Sequence, residues 1–276
     1  MDAPYVLAMA GQTAWTPLSE ASLFAHYDLD AVTTIVDTGE GNRLEVASWT
    51  DQGPSAKHAV SNDYPGSGLP ANNFRPPYLA DAGDGQPGID FADGTYGKGL
   101  TAPFSAAAVK FLHDAVSPWT IDFNLSRSAA ETVAASFVST GAWATGQAGI
   151  LVYAEPHTGY FNLKLFWSDG TTISTVLSTQ VSGPERAHYR ITCDPAGTPK
   201  LRVYRNGMLV DYYSGSLPSL AATGGGYGLC FGKPAGTDPY RDSSDMGRFR
   251  TIYTSALTDD AAVAKAVEWA HGKGYV

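Results

Sequence analysis

The sequence predicts an all-β protein, a two-sheet antiparallel sandwich with one short C-terminal helix and an N-terminal arm. Three observations support this fold class. Apolar and polar residues alternate with a period of two in several segments after residue 118, as in strands with one buried face. The 30 glycines and 17 prolines among 276 residues mark many turns. A helical period is confined to the C-terminal segment.

Four segments carry the clearest alternation, and each predicts a strand with one face in the core. Asn206-Gly207, which follows the fourth segment, predicts a type I′ hairpin turn because both positions of that turn need a positive φ. The apolar positions are Trp119, Ile121, Phe123 and Leu125; Phe161, Leu163, Leu165 and Trp167; Tyr189, Ile191 and Cys193; and Leu201 and Val203.

Further strands are predicted on either side of these segments. Residues 22–29 and 247–253 read as the first and last strands, and residues 89–91 with Leu100 as a short pair around Asp93-Gly94. The polar, turn-rich region from about 37 to 87 excludes long helices.

The C-terminal helix is predicted from its capping residues. Thr258 is a good N-cap, and Asp259 and Asp260 would lie in the first turn, where negative charge is favoured. Gly272 and Gly274 would end the helix.

The domain organisation predicted is one domain with an arm. Residues 1–20 lack a period and carry isolated aromatic residues such as Tyr5 and Trp15, so they read as an arm or docking segment. Residues 21–276 contain no repeat, linker or block of charge, and they form the sandwich domain.

Several motifs, in this order and at these distances, resemble the concanavalin A-like (laminin-G-like) lectin and glucanase sandwiches. The resemblance implies a jelly roll of two antiparallel sheets, of a type found on bacteriophage and phage-like particles, which often binds glycans and sometimes calcium. The motifs span most of residues 22–276: W-T-D-Q at 49–52, P-P-Y at 76–78, G-Q-P-G-I-D-F-A-D-G at 85–94, the hairpin at 188–210 and F-R-T-I-Y-T-S-A-L at 249–257.

Charge and hydropathy exclude two classes of partner. The net charge is −9 and no basic run occurs, which argues against nucleic-acid binding. No apolar run reaches the length of a membrane span, and the apolar residues 5–10 follow Asp2 instead of a basic residue, so membrane insertion and export through a signal peptide are not expected. Cys193 and Cys230 are expected to be reduced core thiols, with a bridge as the alternative.

Catalysis is not expected from this sequence. Glycosidases of the resembled fold place carboxylates on one strand as Glu-x-Asp-x-Glu, and glycoside hydrolysis uses two of them. The nearest pair among the seven glutamates, Glu40 and Glu45, has no aspartate between its members and lies in a glycine-rich turn.

No metal or other cofactor is expected, with calcium as an open alternative. The six histidines never lie three or four residues apart, as local zinc motifs require. Two aspartate clusters offer oxygen ligands for calcium, although aspartate is also an ordinary turn residue. The clusters are Asp81, Asp84 and Asp90, and Asp238, Asp242 and Asp245.

A carbohydrate site is predicted on the polar faces of the alternating strands. If these strands are neighbours in one sheet, their outward side chains form one surface of aromatic, amide and cationic groups, as sugars require. The alternative is a solvated sheet face. The candidate residues are Tyr160, Asn162, Lys164, His188, Arg190, Arg202 and Tyr204.

The functional prediction is a non-enzymatic surface protein of a virion or phage-like particle, present in many copies. It would attach to other virion subunits through the arm and bind host surface polysaccharide, anionic because Lys164, Arg190 and Arg202 would form a positive patch. The alternative is a secreted bacterial lectin or polysaccharide-active domain. The absence of a good export signal and the two thiols favour assembly in the cytoplasm.

Overall fold

Antiparallel strands dominate the computed structural model of the chain. It describes residues 15–37, 41–61, 75–91, 98–127, 134–140, 148–182, 185–218, 228–232 and 246–276. Within these residues eighteen strands form a six-stranded, a nine-stranded and a three-stranded sheet.

The six-stranded sheet contains the first and the last strand of the described chain. Its order is β1-β18-β8-β13-β14-β15, so the first and last strands are neighbours. The strands are β1 (Leu23–Asp28), β8 (Trp119–Arg127), β13 (Glu185–Cys193), β14 (Leu201–Arg205), β15 (Met208–Tyr213) and β18 (Phe249–Tyr253).

The nine-stranded sheet has the order β12-β11-β10-β9-β16-β7-β4-β3-β2, and the small sheet has the order β17-β6-β5. The former contains β2 (Val32–Asp37), β3 (Arg43–Trp49), β4 (Ala59–Val60), β7 (Leu100–Ala102), β9 (Ala135–Ser139), β10 (Ala148–His157), β11 (Tyr160–Asp169), β12 (Ile173–Ser182) and β16 (Leu229–Phe231); the latter contains β5 (Tyr78–Leu79), β6 (Gly88–Asp90) and β17 (Met246–Gly247).

The two large sheets pack face to face around an aromatic core. Phe123 of β8 stacks on Phe137 of β9 with ring centroids 4.9 Å apart, and Trp119 lies 6.5 Å from Trp167 of β11. The apolar positions picked out by the period of two are buried here. The predicted two-sheet antiparallel sandwich is therefore confirmed.

The predicted turns and short elements have mixed outcomes. Asn206 and Gly207 have φ values of +47° and +84° and join β14 to β15, as the hairpin prediction requires. The predicted pairing of residues 89–91 with Leu100 is wrong, because β6 belongs to the small sheet and β7 to the nine-stranded sheet. The predicted last strand is divided at Arg248 into β17 and β18.

Two α-helices are present in the described residues, α1 (Ala106–Val109) and α2 (Asp260–Gly272), with three short 3₁₀ helices at Pro17–Ser19, Leu29–Ala31 and Lys110–Leu112. The N-cap of α2 is Asp259 and not Thr258, because the Asp259 side chain accepts from the Ala262 backbone nitrogen at 2.8 Å. No helix in the described part of the chain has the length and apolar character needed to cross a bilayer.

The W-T-D-Q motif organises the loop beside β1. Asp51 Oδ1 accepts from the backbone nitrogens of His26 and Gly53 at 2.9 and 2.8 Å, and Trp49 Nε1 donates to the carbonyl of Asp28 at 2.7 Å. The buried polar atoms of Trp49 and Asp51 thus find their hydrogen-bond partners on the backbone, which gives this motif a structural role.

Both cysteines are buried, and no disulfide joins them. Cys193 lies in the six-stranded sheet and Cys230 in the nine-stranded sheet, and burial raises the pKa of the Cys193 thiol to about 12. The expectation that both cysteines lie in the core is confirmed.

The described end of the predicted arm lies beside the sandwich. Trp15 Nε1 donates to Glu20 Oε1 at 2.7 Å, Pro17 is buried, and the Leu23 nitrogen donates to the carbonyl of Glu20 at 3.0 Å. Residues 1–14, with Tyr5, lie outside the described residues. The arm and its boundary at residue 20 stay predictions.

Helix α2 covers the outer face of the six-stranded sheet over β1, β13 and β18. Trp269 packs with its ring 5.3 Å from His26 and 5.2 Å from Phe249. Val263, Ala266 and Ala270 are buried on the same side of the helix. The side chains beneath and beside the helix form a buried polar layer, namely Asp122, Asn124, His188, Arg190 and Thr251.

An ion pair lies in the middle of this layer. Asp122 of β8 accepts from Arg190 Nε and Nη2 of the neighbouring β13, both at 2.7 Å, and Arg190 Nη1 donates to the carbonyl of Leu257 at 3.3 Å. Both side chains are almost completely buried. The pair therefore ties the sheet to the segment that leads into α2.

We expect Arg190→Ala to lower the free energy of unfolding by about 3–5 kcal/mol, because it leaves the Asp122 carboxylate buried without its partner. Urea denaturation followed by fluorescence measures the change. Arg202→Ala, on the next strand and half-exposed, is the matched control and should cost less than about 1 kcal/mol. Equal losses in the two variants would show that the pair has no special role.

The free energy of unfolding should also fall as the pH drops from 6.5 towards 4. Burial lowers the pKa of His188 to about 4, against the opposing influence of Asp122, and burial likewise lowers the pKa of His113 to about 4. In this window the unfolded chain binds protons that the folded chain excludes, which costs on the order of 3 kcal/mol per group.

The check is the urea midpoint measured across this pH window in His188→Phe and in a control, His58→Gln, whose side chain is exposed. His188→Phe keeps the ring that stacks on Phe249 and removes the titrating group, so its pH dependence should be shallower by about one proton. An unchanged slope would show that His188 does not titrate differently on unfolding.

Candidate functional site

The seven predicted carbohydrate-binding residues do not share one surface. Tyr160, Asn162 and Lys164 lie on β11 of the nine-stranded sheet. The remaining residues lie on β13 and β14 of the six-stranded sheet. The prediction of a single face is therefore wrong, because alternation shows which way a side chain points but not which sheet its strand joins.

The part of the prediction on the six-stranded sheet fails for a second reason, which is burial. His188 and Arg190 belong to the buried polar layer, and Tyr204 is buried with its hydroxyl 3.4 Å from the carbonyl of Thr258. Arg202 is half-exposed. The expected positive patch of Lys164, Arg190 and Arg202 does not exist.

The three residues on β11 do lie together on the outer face of the nine-stranded sheet. Glu155 pairs with Asn162 and His157 with Tyr160 in the register of β10 and β11. These five side chains are exposed or partly exposed, and we call them the β10–β11 platform: Glu155, His157, Tyr160, Asn162 and Lys164.

Ring stacking and hydrogen bonds connect the platform. The rings of His157 and Tyr160 are 4.7 Å apart and inclined by 12°. His157 Nε2 lies 3.1 Å from Asn162 Nδ2 and 3.0 Å from Glu155 Oε2. Because one ring nitrogen cannot accept from the amide and donate to the carboxylate at once, part of the hydrogen-bonding capacity of these groups is available to a ligand.

An ion pair fixes the other end of the platform. Lys164 Nζ donates to Glu155 Oε2 at 2.5 Å and lies 5.8 Å from the ring centre of Phe166. The hydrogen bond from Lys164 holds the pKa of Glu155 below its usual value, and His157 adds to this effect. Glu155 is therefore an ionised acceptor near neutral pH.

Sequence reasoning missed Glu155 and His157 because it did not identify β10 as a strand. Pro156 interrupts the alternation near the end of β10. The signal that could have found them is Gly159, with a φ of +80°, in the short turn between two long apolar-rich segments. A hairpin at that glycine places His157 opposite Tyr160.

The described aspartate cluster is held by arginines and backbone amides. Asp84 accepts from Arg248 Nη2 at 2.5 Å and lies 3.1 Å from Arg186 Nη1, and Asp81 accepts from the nitrogens of Gly83 and Gly85. The other cluster, Asp238, Asp242 and Asp245, lies outside the described residues. Among the described residues no group of three acidic, histidine or cysteine side chains is arranged to hold a metal ion.

The two packed antiparallel sheets define a jelly-roll sandwich. No protein-family profile and no curated protein matches this chain. Its fold is similar to the Trypanosoma rangeli sialidase in complex with sialic acid, with a TM-score of 0.56 and 12% identity over 91% of this chain and 33% of the sialidase.

Two further solved structures are similar. The same sialidase as a covalent intermediate with 2,3-difluorosialic acid has a TM-score of 0.54 and 13% identity over 91% of this chain and 33% of the sialidase. The CBM40 of the Ruminococcus gnavus IT-sialidase has a TM-score of 0.46 and 18% identity over 64% of this chain and 95% of the CBM40. The chain spans about a third of the length of the sialidases it matches, and this likeness is one of fold.

Proposed function

We propose that this protein is a non-catalytic, lectin-like protein that binds glycans through the β10–β11 platform. The observation that carries the proposal is the juxtaposition of an aromatic stack, an amide and an ionised carboxylate on one partly exposed sheet face. Sugar rings pack their C–H faces on aromatic rings, and their hydroxyls pair with planar polar groups. The lectin-like fold is consistent with this use.

Preorganisation supports the same conclusion. The Lys164–Glu155 ion pair and the stacking of His157 on Tyr160 restrain side chains that would otherwise lose rotamer freedom when a ligand binds. A site whose side chains are already ordered binds with a smaller entropy cost.

The proposal that the platform does not catalyse hydrolysis rests on its having a single carboxylate, which is ionised. Glycosidases commonly use two carboxyl groups, one of them kept protonated to act as the acid. Among the five platform side chains only Glu155 is a carboxylate, and Lys164 keeps it ionised.

We further propose that many copies act together on the surface of a virion or phage-like particle. One shallow sheet face binds a sugar weakly, and multivalent display raises the overall affinity by about 10²–10⁴. The particle assignment rests on the motifs shared with phage-borne sandwiches, and the arm at residues 1–20 would join the protein to other subunits. A secreted lectin is the alternative, and it would use the same platform.

Tyr160→Ala should reduce glycan binding about tenfold, because it removes the ring that stacks on His157 and would contact the sugar. The measurement is binding to a glycan array, followed by titration calorimetry with the best ligand. Tyr212→Ala is the matched control, since Tyr212 is an exposed tyrosine on the other sheet. Equal binding by both variants would place the glycan site elsewhere.

No oligosaccharide should be released when the protein is incubated with β-glucan, alginate, bacterial capsule or sialyllactose. The reason is that the platform lacks a protonated partner for Glu155. A reducing-end assay against a boiled control measures release. Turnover above that control that is lost in Glu155→Gln would show that the platform is an active site.

A further inference from the structure

We infer that the platform takes a neutral, extended glycan chain and not an anionic sugar. The inference rests on the proposed function, because it assigns the ligand class of the same site. It reverses the expectation from sequence, which was an anionic polysaccharide held by a patch of three cations.

The first argument is that the platform has no uncompensated cation. Lys164 is its only lysine or arginine, and the ammonium group is already paired with Glu155 at 2.5 Å. The two arginines expected beside it lie on the other sheet, Arg190 bound to Asp122 and Arg202 on β14. The formal charge of the lysine and the glutamate therefore sums to zero.

The second argument is the cost of admitting an anion. A carboxylate or sulfate approaching Lys164 would either displace Glu155 or lie beside it, and Glu155 stays ionised because its pKa is lowered. Like charges so close together repel, and displacement gives up an existing ion pair. The net charge of −9 on the whole chain adds to this repulsion at long range.

The third argument comes from the strand next to the platform. In the register of β11 and β12, Tyr160, Asn162 and Lys164 lie opposite Ser182, Gln180 and Ser178. These three β12 side chains are exposed. Hydroxyl and amide groups pair with sugar hydroxyls and do not compensate a charge, so this row suits a neutral ligand.

The shape of the surface favours a chain over a single sugar. The charged, amide and aromatic groups lie in a row along β11, and alternate residues of a strand are about 6–7 Å apart. From the Lys164–Glu155 pair to the His157–Tyr160 stack the row therefore extends over about 13 Å, more than one sugar ring covers. A ligand that lies along the strands can contact both ends at once.

The test is titration calorimetry with matched linear probes. Cellohexaose, laminarihexaose and maltohexaose are the neutral probes, and hexagalacturonate is the anionic probe of the same length. We expect at least one neutral hexasaccharide to bind more tightly than hexagalacturonate, with an affinity that does not change between low and high salt. Its binding should weaken in Tyr160→Ala.

A variant that removes the negative charge of Glu155 provides a sharper test. Glu155→Gln frees Lys164, so binding of hexagalacturonate should strengthen about fivefold relative to the unchanged protein. Glu268→Gln makes the same charge change on an exposed position of α2 and should have no effect.

The outcomes separate the two claims. Tighter, salt-sensitive binding of an anionic probe that depends on Tyr160 would overturn the neutral preference and leave the platform as the glycan site. Binding of no probe, or binding that Tyr160→Ala does not change, would overturn the platform itself. No gain in Glu155→Gln would refute the view that Glu155 excludes anions.

Discussion

The buried ion pair between Asp122 and Arg190 is the constraint on which the arrangement of this molecule depends. It joins two central strands of the six-stranded sheet, and a charge placed there without its partner would be costly. Water must then be kept from a face that is polar by composition. Helix α2 and the segment before it do this, and the carbonyl of Leu257 satisfies a further guanidinium hydrogen.

Covering that face determines where a ligand can bind. With part of the outer side of the six-stranded sheet under α2, the β10–β11 platform on the opposite sheet is a polar and aromatic face left partly open. Charged, amide and histidine side chains thus have different roles in the two sheets. In the buried layer Asp122 and Arg190 satisfy each other, whereas in the platform the side chains retain capacity for an outside partner.

Much of the fold could be predicted from the sequence, whereas the site could be predicted only in part. The period of two gave the inward faces of β8 and β11 correctly, because hydrophobic burial acts on each strand separately. It could not reveal that Arg190 is covered, since a side chain under a helix has the same period as one in water. Nor could it place Tyr160 and Arg190 on different sheets, because strand order arises from distant pairings. The two-residue β4 and β5 are too short to show any period.

The position of β18 between β1 and β8 has a consequence for biosynthesis. His26 Nδ1 lies 2.8 Å from Thr251 Oγ1, although 225 residues separate them. A chain emerging from the ribosome therefore carries β1 and β8 with a gap between them until β18 has been made. Contacts so distant in sequence form slowly, so the six-stranded sheet closes only after β18 has left the ribosome. Until then the face that α2 will cover meets solvent with charged and polar groups, which protects the unfinished chain from aggregation on that side.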